Sequence, residues 1–295
     1  MSIRVTRFAR LALLFVAGLS ALSLFGLGGC NGTGAGPGIG GGEYSLTGAM
    51  VQDRNTGRTV AVARLYHNDT LLVDGQIQID GASLATGSVV TVADTVISRD
   101  SLGDTVRYIN TVGPVADSTL AFWMTSATIY AGDAVMIATL DTASDFHDTV
   151  VVDVVDTFSI VPDGITPQNR IVRANDVVTV DWAGSDNATT YVLAAVPADT
   201  AYARDGYVLY PATQTTLGTI PKDAFLHEGT STLDTGLYCV YVYAISGSPD
   251  SALTANLLPT PLPSQLVDNI DHRLLKGRFG SIMVTFLDTV RVKAQ

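Results

Sequence analysis

The sequence predicts an all-β protein made of two antiparallel β-sandwich domains, residues 44–160 and 165–295, and two observations lead to this class. The first is composition: the 295 residues include 26 Asp but only two Glu and three Lys. Long surface helices favour Glu and Lys, whereas Asp favours turns and caps. The second is patterning: from residue 44 onward, short runs of alternating apolar and polar residues are separated by turn sequences. Such spacing is typical of a sandwich or barrel.

Seven short runs predict the strands of the first domain, and turn sequences such as Asp74-Gly75 and Gly132-Asp133 separate them. The predicted strands cover residues 60–66, 76–79, 88–97, 105–109, 119–124, 134–140 and 149–155. A segment with two prolines, residues 162–167, then predicts the boundary between the domains.

The second domain has the most specific pattern of the chain. Val178, Val180 and Trp182 fall on one face of a predicted strand, because successive side chains of a strand alternate. Another strand begins at Tyr191, a third lies within residues 233–244, and the final strand is predicted over 280–292.

These residues together resemble the fibronectin type III domain, in which an early Trp and a mid-domain Tyr precede the pattern L-x-x-G-x-Y-x-V-x-V-x-A. The resemblance covers roughly residues 165–293. It implies structural roles for Trp182, Tyr191 and Tyr238. Tyr238 would occupy a tyrosine corner, with its hydroxyl bonded to the backbone a few residues upstream, and the V-x-V-x-A residues would face the core beside it.

Cys239 distinguishes this segment from the immunoglobulin motif D-[TS]-[AG]-x-Y-x-C, which it also resembles. In that motif the cysteine lies two residues after the tyrosine, whereas Cys239 directly follows Tyr238. An offset of one residue places a strand side chain on the opposite face of the sheet. The sequence therefore predicts no disulfide between the two sheets at this position.

Residues 1–29 predict a secretory signal sequence, followed by a lipid-anchored cysteine. The segment begins with three arginines, continues as an uncharged apolar run over 11–27, and ends in Gly-Gly before Cys30. Leu-Gly-Gly-Cys resembles the bacterial lipobox, which implies cleavage before Cys30 and diacylglycerol on its thiol, a stable membrane anchor. The alternative is an uncleaved membrane helix, since an uncharged run of 17 residues reaches the lower limit for a span.

The residues after the cysteine predict a tether and a destination. Residues 30–43 are rich in glycine and would join the lipid to the first domain flexibly. Asn31, in place of Asp, favours the outer membrane by resemblance to enteric sorting rules. Without residues 1–29, 28 acidic and 14 basic residues remain, and such an acidic protein is unsuited to nucleic acid, whose phosphates require clustered Lys and Arg.

Two regions are candidates for binding. Tyr202, Tyr207 and Tyr210 could stack on a sugar or contact a protein, or they could be ordinary strand residues. The connection over 248–279 is unusually long, contains four prolines, three of them at 259, 261 and 263, and carries basic side chains in an acidic chain. It predicts either a partner-contact loop or a solvated insertion with a short helix. Its basic residues are His272, Arg273, Lys276 and Arg278.

No catalytic set emerges from the sequence. Asp234-Thr-Gly236 matches one copy of the aspartic protease triplet, which a pepsin-like chain needs twice, and a sandwich corner also accounts for it. The four histidines are isolated, without metal-ligand spacing. Asp-rich turns could bind Ca²⁺, or simply cap turns, and the positions concerned are Asp53 with Asn55, and Asp181 with Asp186 and Asn187.

The expected function is that of a non-enzymatic, lipid-anchored protein of the cell envelope, with a role in binding, adhesion or scaffolding. No cofactor is expected. One alternative is a carbohydrate-binding accessory module of an envelope assembly that uses the three tyrosines. Another is a hydrolase with unrecognised catalytic aspartates.

Overall fold

The computed structural model describes most of the chain after residue 43. The described residues are 2–4, 44–87, 92–99, 105–112, 121–140, 146–158, 160–198, 206–209, 215–227, 229–255, 257–260, 262 and 267–294. Cys30, the predicted tether and most of the predicted signal sequence lie outside them.

Strands account for nearly all regular structure in this part of the chain, which confirms the all-β prediction. The strands are β1 (Ser2–Arg4), β2 (Tyr44–Asp53), β3 (Arg58–His67), β4 (Thr70–Leu71), β5 (Gly75–Ile79), β6 (Ala82–Ser83), β7 (Ala85–Gly87), β8 (Val92–Arg99), β9 (Thr105–Val112), β10 (Ala121–Ser126), β11 (Gly132–Leu140), β12 (His147–Val154), β13 (Ile160–Thr166), β14 (Ile171–Val172), β15 (Val178–Trp182), β16 (Thr190–Pro197), β17 (Tyr207–Leu209), β18 (Leu217–Ile220), β19 (Gly236–Gly247), β20 (Ile270–Asp271) and β21 (Leu275–Val292). The described helices are one 3₁₀ turn, Lys222–Phe225, and one α-helical turn, α1 (Ser251–Thr254).

One large sheet runs through both predicted domains. Its strand order is β1-β17-β16-β19-β21-β2-β3-β10-β7, with β4, β14 and β20 paired at its sides. The 18-residue strand β21 joins the two halves, because its first part pairs in parallel with β2 and its later part pairs antiparallel with β19. The predicted domain boundaries therefore stay a prediction, whereas the sheet itself is continuous across them.

Two smaller sheets lie against one face of the large sheet and enclose two cores. The sheet β12-β11-β5-β6 covers the first half, and the sheet β13-β15-β18 covers the second. The alternating side chains of β21 contribute to both: Leu275 and Phe279 pack in the first core, and Met283 and Val290 in the second. The second core thus lies between the three-stranded sheet and the half of the large sheet that contains β17, β16, β19 and the later part of β21.

A buried polar seam separates the two cores. The Gln52 side chain is completely buried, and its Oε1 accepts hydrogen bonds from the Tyr130 backbone N–H at 2.7 Å and from the Thr59 hydroxyl at 3.2 Å. Nearby, the Ser281 hydroxyl accepts a hydrogen bond from the Val155 backbone N–H at 2.7 Å. Because buried polar groups need partners, these bonds fix the segments that cross from one half to the other.

The long connection after β19 covers the opposite face of the large sheet. Leu257, Leu258 and Leu262 pack in a cluster with outward-facing residues of β19 and β21. The Tyr243 and Thr260 hydroxyls lie 3.0 Å apart, inside this cover. The helix α1 agrees with the short helix of the insertion alternative, but the expectation of a solvated insertion is wrong, because these leucines are buried against the sheet.

The prediction that the last strand begins at residue 280 is wrong, since β21 begins at Leu275. In the fold, Gly277 has φ 126°, and a Cβ there would lie 2.1 Å from the Leu46 carbonyl oxygen. Glycine is therefore needed because β2 passes so closely.

Within the described ranges, no helix has the length and apolar composition that crossing a bilayer requires.

Candidate functional site

The predicted structural residues of the second domain meet in its core. The Tyr238 hydroxyl donates to the Asp234 carbonyl oxygen at 3.2 Å, four residues upstream, which is the geometry of a tyrosine corner. The Trp182 and Tyr191 rings lie 5.6 Å apart in the same cluster. Cys239 packs on the opposite face of β19, in the cluster that the long connection covers, which we call the outer cluster. The one-residue offset from Tyr238 therefore turns the cysteine away from the core between the two sheets.

The predicted tyrosine cluster does not form an exposed patch at Tyr207. This side chain is only 4% exposed and packs in the core of the second half, because β17 lies beside β16 in the large sheet. An exposed binding role is therefore wrong for Tyr207, and the alternative of an ordinary strand residue holds. Tyr202 and Tyr210 lie outside the described residues.

Two of the basic residues predicted in a loop lie within β21 and are used inside the chain. Arg278 Nη2 lies 3.2 Å from Asp250 Oδ2, and both side chains are about nine-tenths buried. Asp250 also accepts hydrogen bonds at the start of α1, which fastens the connection to the sheet. Lys276 forms an ion pair with Asp271. Arg273 is exposed, so it alone of these three keeps the surface position that a partner-contact residue needs.

The structure brings together one polar pair that sequence reasoning missed, Asp148 and His272. Asp148 Oδ1 lies 2.5 Å from His272 Nδ1, although 124 residues separate them. The Asp148 side chain is 4% exposed and belongs to β12. Its other oxygen accepts hydrogen bonds from the backbone N–H groups of Leu274 at 3.1 Å and Leu275 at 3.0 Å. One carboxylate therefore holds the turn before β21 against the sheet β12-β11-β5-β6.

Opposing effects act on the pKa of Asp148. Burial raises it, but the hydrogen bonds from the Leu274 backbone and the His272 side chain, together with the charge of His272, lower it more. The net pKa lies below the ordinary value for aspartate, so the carboxylate is ionised at neutral pH. His272 itself is about half exposed.

An aromatic cluster lies at the same end of the first half. The Tyr44 ring stacks on His67 with centroids 4.6 Å apart, and it contacts Phe146 at 3.9 Å. Phe146 precedes β12 directly, and Tyr44 pairs with Leu275 at the start of β21. Since Asp148 binds the same turn, the carboxylate and the rings together close this end of the sandwich.

Of the aspartates proposed as calcium ligands, Asp53 caps a turn, whereas Asp181 lies within β15. Asp53 Oδ1 accepts hydrogen bonds from the backbone N–H groups of Asn55 at 2.7 Å and Thr56 at 3.2 Å. The Asn55 side chain bonds to both the N–H and the carbonyl oxygen of Phe286. Asn187 adopts φ 63° and donates to a backbone carbonyl of the first half. In the described part of the chain, no three His, Cys, Asp or Glu residues gather as metal ligands.

A small apolar patch lies on the solvent face of the sheet β12-β11-β5-β6. Val135 and Val151 are directly opposite on neighbouring strands and are 40% and 60% exposed. Asp133 faces Asp153 two residues further along, a like-charge pair that is unfavourable in isolation. The alternating sequence of β12 places these residues outward, while Asp148 and Val152 point inward.

The comparisons with known proteins show no family for this chain. No protein-family model matches the chain, and a search of curated proteins finds no match. Among solved structures, it is similar to the crystal structure of the chicken CNTN1 FN1-FN3 domains, with 10% sequence identity and a TM-score of 0.22. The match covers 68% of this chain and 57% of the CNTN1 chain. With a TM-score this low, the fold assignment rests on the strand pairing described above.

Proposed function

We propose that this chain is a non-enzymatic β-sandwich protein of the cell envelope, anchored by lipid on Cys30, with a binding or scaffolding role. The use of its ionisable groups supports a non-enzymatic role. The three pairs described above, Asp148 with His272, Asp250 with Arg278, and Asp271 with Lys276, all join segments of the chain. Catalytic acids and bases instead sit in a cleft that admits substrate.

The anchor is proposed from sequence, and cleavage before Cys30 would remove β1, the edge strand that pairs with β17. Leu-Gly-Gly-Cys30 after an apolar run, followed by a glycine-rich stretch before β2, is the arrangement of a lipidated cysteine with a tether. Two or more acyl chains hold a protein stably at a membrane. Asn31 favours the outer membrane as the destination.

The intact mass of the protein extracted from membranes tests the anchor. We expect an N-terminus at Cys30 that carries lipid, and loss of that lipid in Cys30→Ser. The matched control is Cys239→Ser. Cys239 is buried in the outer cluster, so we expect its substitution to leave lipidation unchanged. A wild-type protein that retains Met1 and has no added lipid mass would refute the anchor.

The binding role is tested separately, with whole cells. Protease shaving reports whether the region after residue 43 lies outside the cell, and cross-linking followed by mass spectrometry identifies neighbours. We expect a reproducible macromolecular partner in either location. Turnover of protease or glycosidase substrates by the purified protein, abolished by a single Asp→Asn substitution, would instead support the hydrolase alternative. The carbohydrate-binding alternative is weakened because Tyr207 is buried.

A further inference from the structure

The latest strand in the described chain completes the earliest core. β2 is an inner strand of the large sheet, between β3 and β21, and all ten of its residues pair with β21. Without β21, the backbone edge of β2 would be open. The first core would also lose Leu275 and Phe279, which are both fully buried there. The first sandwich is therefore incomplete while residues 275–292 are missing.

Buried polar groups of the first half depend on the same late segment. Asp148 takes hydrogen bonds from Leu274 and Leu275, and the latter lies 127 residues further along the chain. The backbone N–H of Val155 donates to Ser281, 126 residues later. A buried donor or acceptor without its partner costs roughly 1–3 kcal/mol. The early segment would therefore carry unpaired polar groups as well as an open edge.

The separation in sequence is long compared with ordinary domain folding. The Asn55 side chain, in the turn after β2, forms hydrogen bonds with the backbone N–H and carbonyl oxygen of Phe286, which lies 231 residues later in the chain. At synthesis rates of about 5–20 residues per second, this corresponds to roughly 10–50 s. N-terminal domains otherwise fold first during synthesis, and contacts of such long range also slow folding.

We infer that the first sandwich does not fold until β21 has been made, so that residues 44–154 remain unfolded while the chain up to β21 is synthesised. The inference rests on the proposed function for its biological meaning, because an exported chain must cross the membrane before it folds. The shared strand thereby keeps the chain competent for export without a separate device.

Nascent chains halted on the ribosome test this order of folding. One chain ends after residue 274, and the other is the full chain, both with a linker that clears the ribosome tunnel. We expect brief proteolysis to leave a protected fragment spanning residues 44–154 only in the full chain. A protected 44–154 fragment in the chain halted at 274 would overturn the inference.

Full-length variants test whether a β21 side chain in the first core is needed to protect that sandwich. Phe279→Asp places a charge in the first core, and we expect it to abolish protection of residues 44–154 in the completed chain. The matched control on the segment that directly follows β21 is Lys293→Asp, which is exposed and should leave protection unchanged. Retained protection in Phe279→Asp would also count against the inference. Lipid on Cys30 is measured independently, so early folding of a lipidated protein would refute the inference alone, whereas late folding of an unlipidated protein would refute the anchor alone.

Discussion

Replacing Asp148 should show how strongly one buried carboxylate holds the two layers of the first sandwich together. The Asp148→Ala substitution removes the acceptor for His272 and for the backbone N–H groups of Leu274 and Leu275. Leu275 is fully buried, so water cannot replace the lost acceptor there. The substitution thus leaves unpaired donors and also removes the contact with the half-exposed His272 ring.

The magnitude follows from these contacts. A hydrogen bond to a charged group contributes about 1.5–3 kcal/mol, and Asp148 accepts two such bonds from the Leu274 and Leu275 backbone N–H groups, whereas the pair with half-exposed His272 adds little. Contacts that share one carboxylate are not additive, so we expect Asp148→Ala to lower the free energy of unfolding by about 3–5 kcal/mol. Asp148→Asn keeps one acceptor oxygen and should cost less, roughly 1–3 kcal/mol.

The pH dependence gives a second signature. Because the pKa of Asp148 is lower in the folded state, its contribution to stability is present above the unfolded-state pKa of about 3.9. It is lost as pH falls through the lower folded-state pKa. Wild type should therefore lose stability below about pH 4, and Asp148→Asn should lack this component.

Urea denaturation of the chain without residues 1–29, followed by circular dichroism, measures both effects. With an m-value of about 3 kcal/mol/M, the Asp148→Ala midpoint should fall by roughly 1–2 M. The matched control is Asp153→Ala on the same strand, which is exposed opposite Asp133 and should change stability by less than about 0.5 kcal/mol. An Asp148→Ala midpoint equal to that of the control would refute the prediction that Asp148 holds the two layers together.

Two further predictions concern backbone and hydroxyl contacts, and urea midpoints at pH 7 check both. Gly277→Ala should destabilise by more than about 2 kcal/mol, since its Cβ would meet Leu46. Gly57→Ala, at φ 68° with open space around it, should cost only about 1–2 kcal/mol, and equal losses would count against the close approach. Tyr238→Phe removes the bond to the Asp234 carbonyl and should cost about 0.5–1.5 kcal/mol; an unchanged midpoint would show that the corner hydroxyl is dispensable.

The second half of the fold could be predicted well because its signals are local. In β15, Val178, Val180 and Trp182 are buried, while the residues between them are partly exposed, and alternation alone predicts this. The tyrosine corner likewise spans only four residues. β2 was missed because it is buried on both faces, so it has no polar face to alternate with its apolar one.

The Asp148–His272 pair could not be predicted. An isolated Asp in an Asp-rich chain carries no signal, and its partner lies 124 residues away. Periodicity reports which face a side chain takes within its own strand. It does not report which other strand that face will meet.

The sequence by itself determined the all-β class, the faces of the strands in the second half, and the opposite orientations of Tyr238 and Cys239, because these depend on neighbours a few residues apart. Only the tertiary structure decided that β21 pairs with β2, that one strand serves two cores, and that the basic residues Lys276 and Arg278 bind aspartates of the same chain. The physical reason is that strand partners are chosen by burial and hydrogen bonding summed over the whole sheet, which no local pattern records.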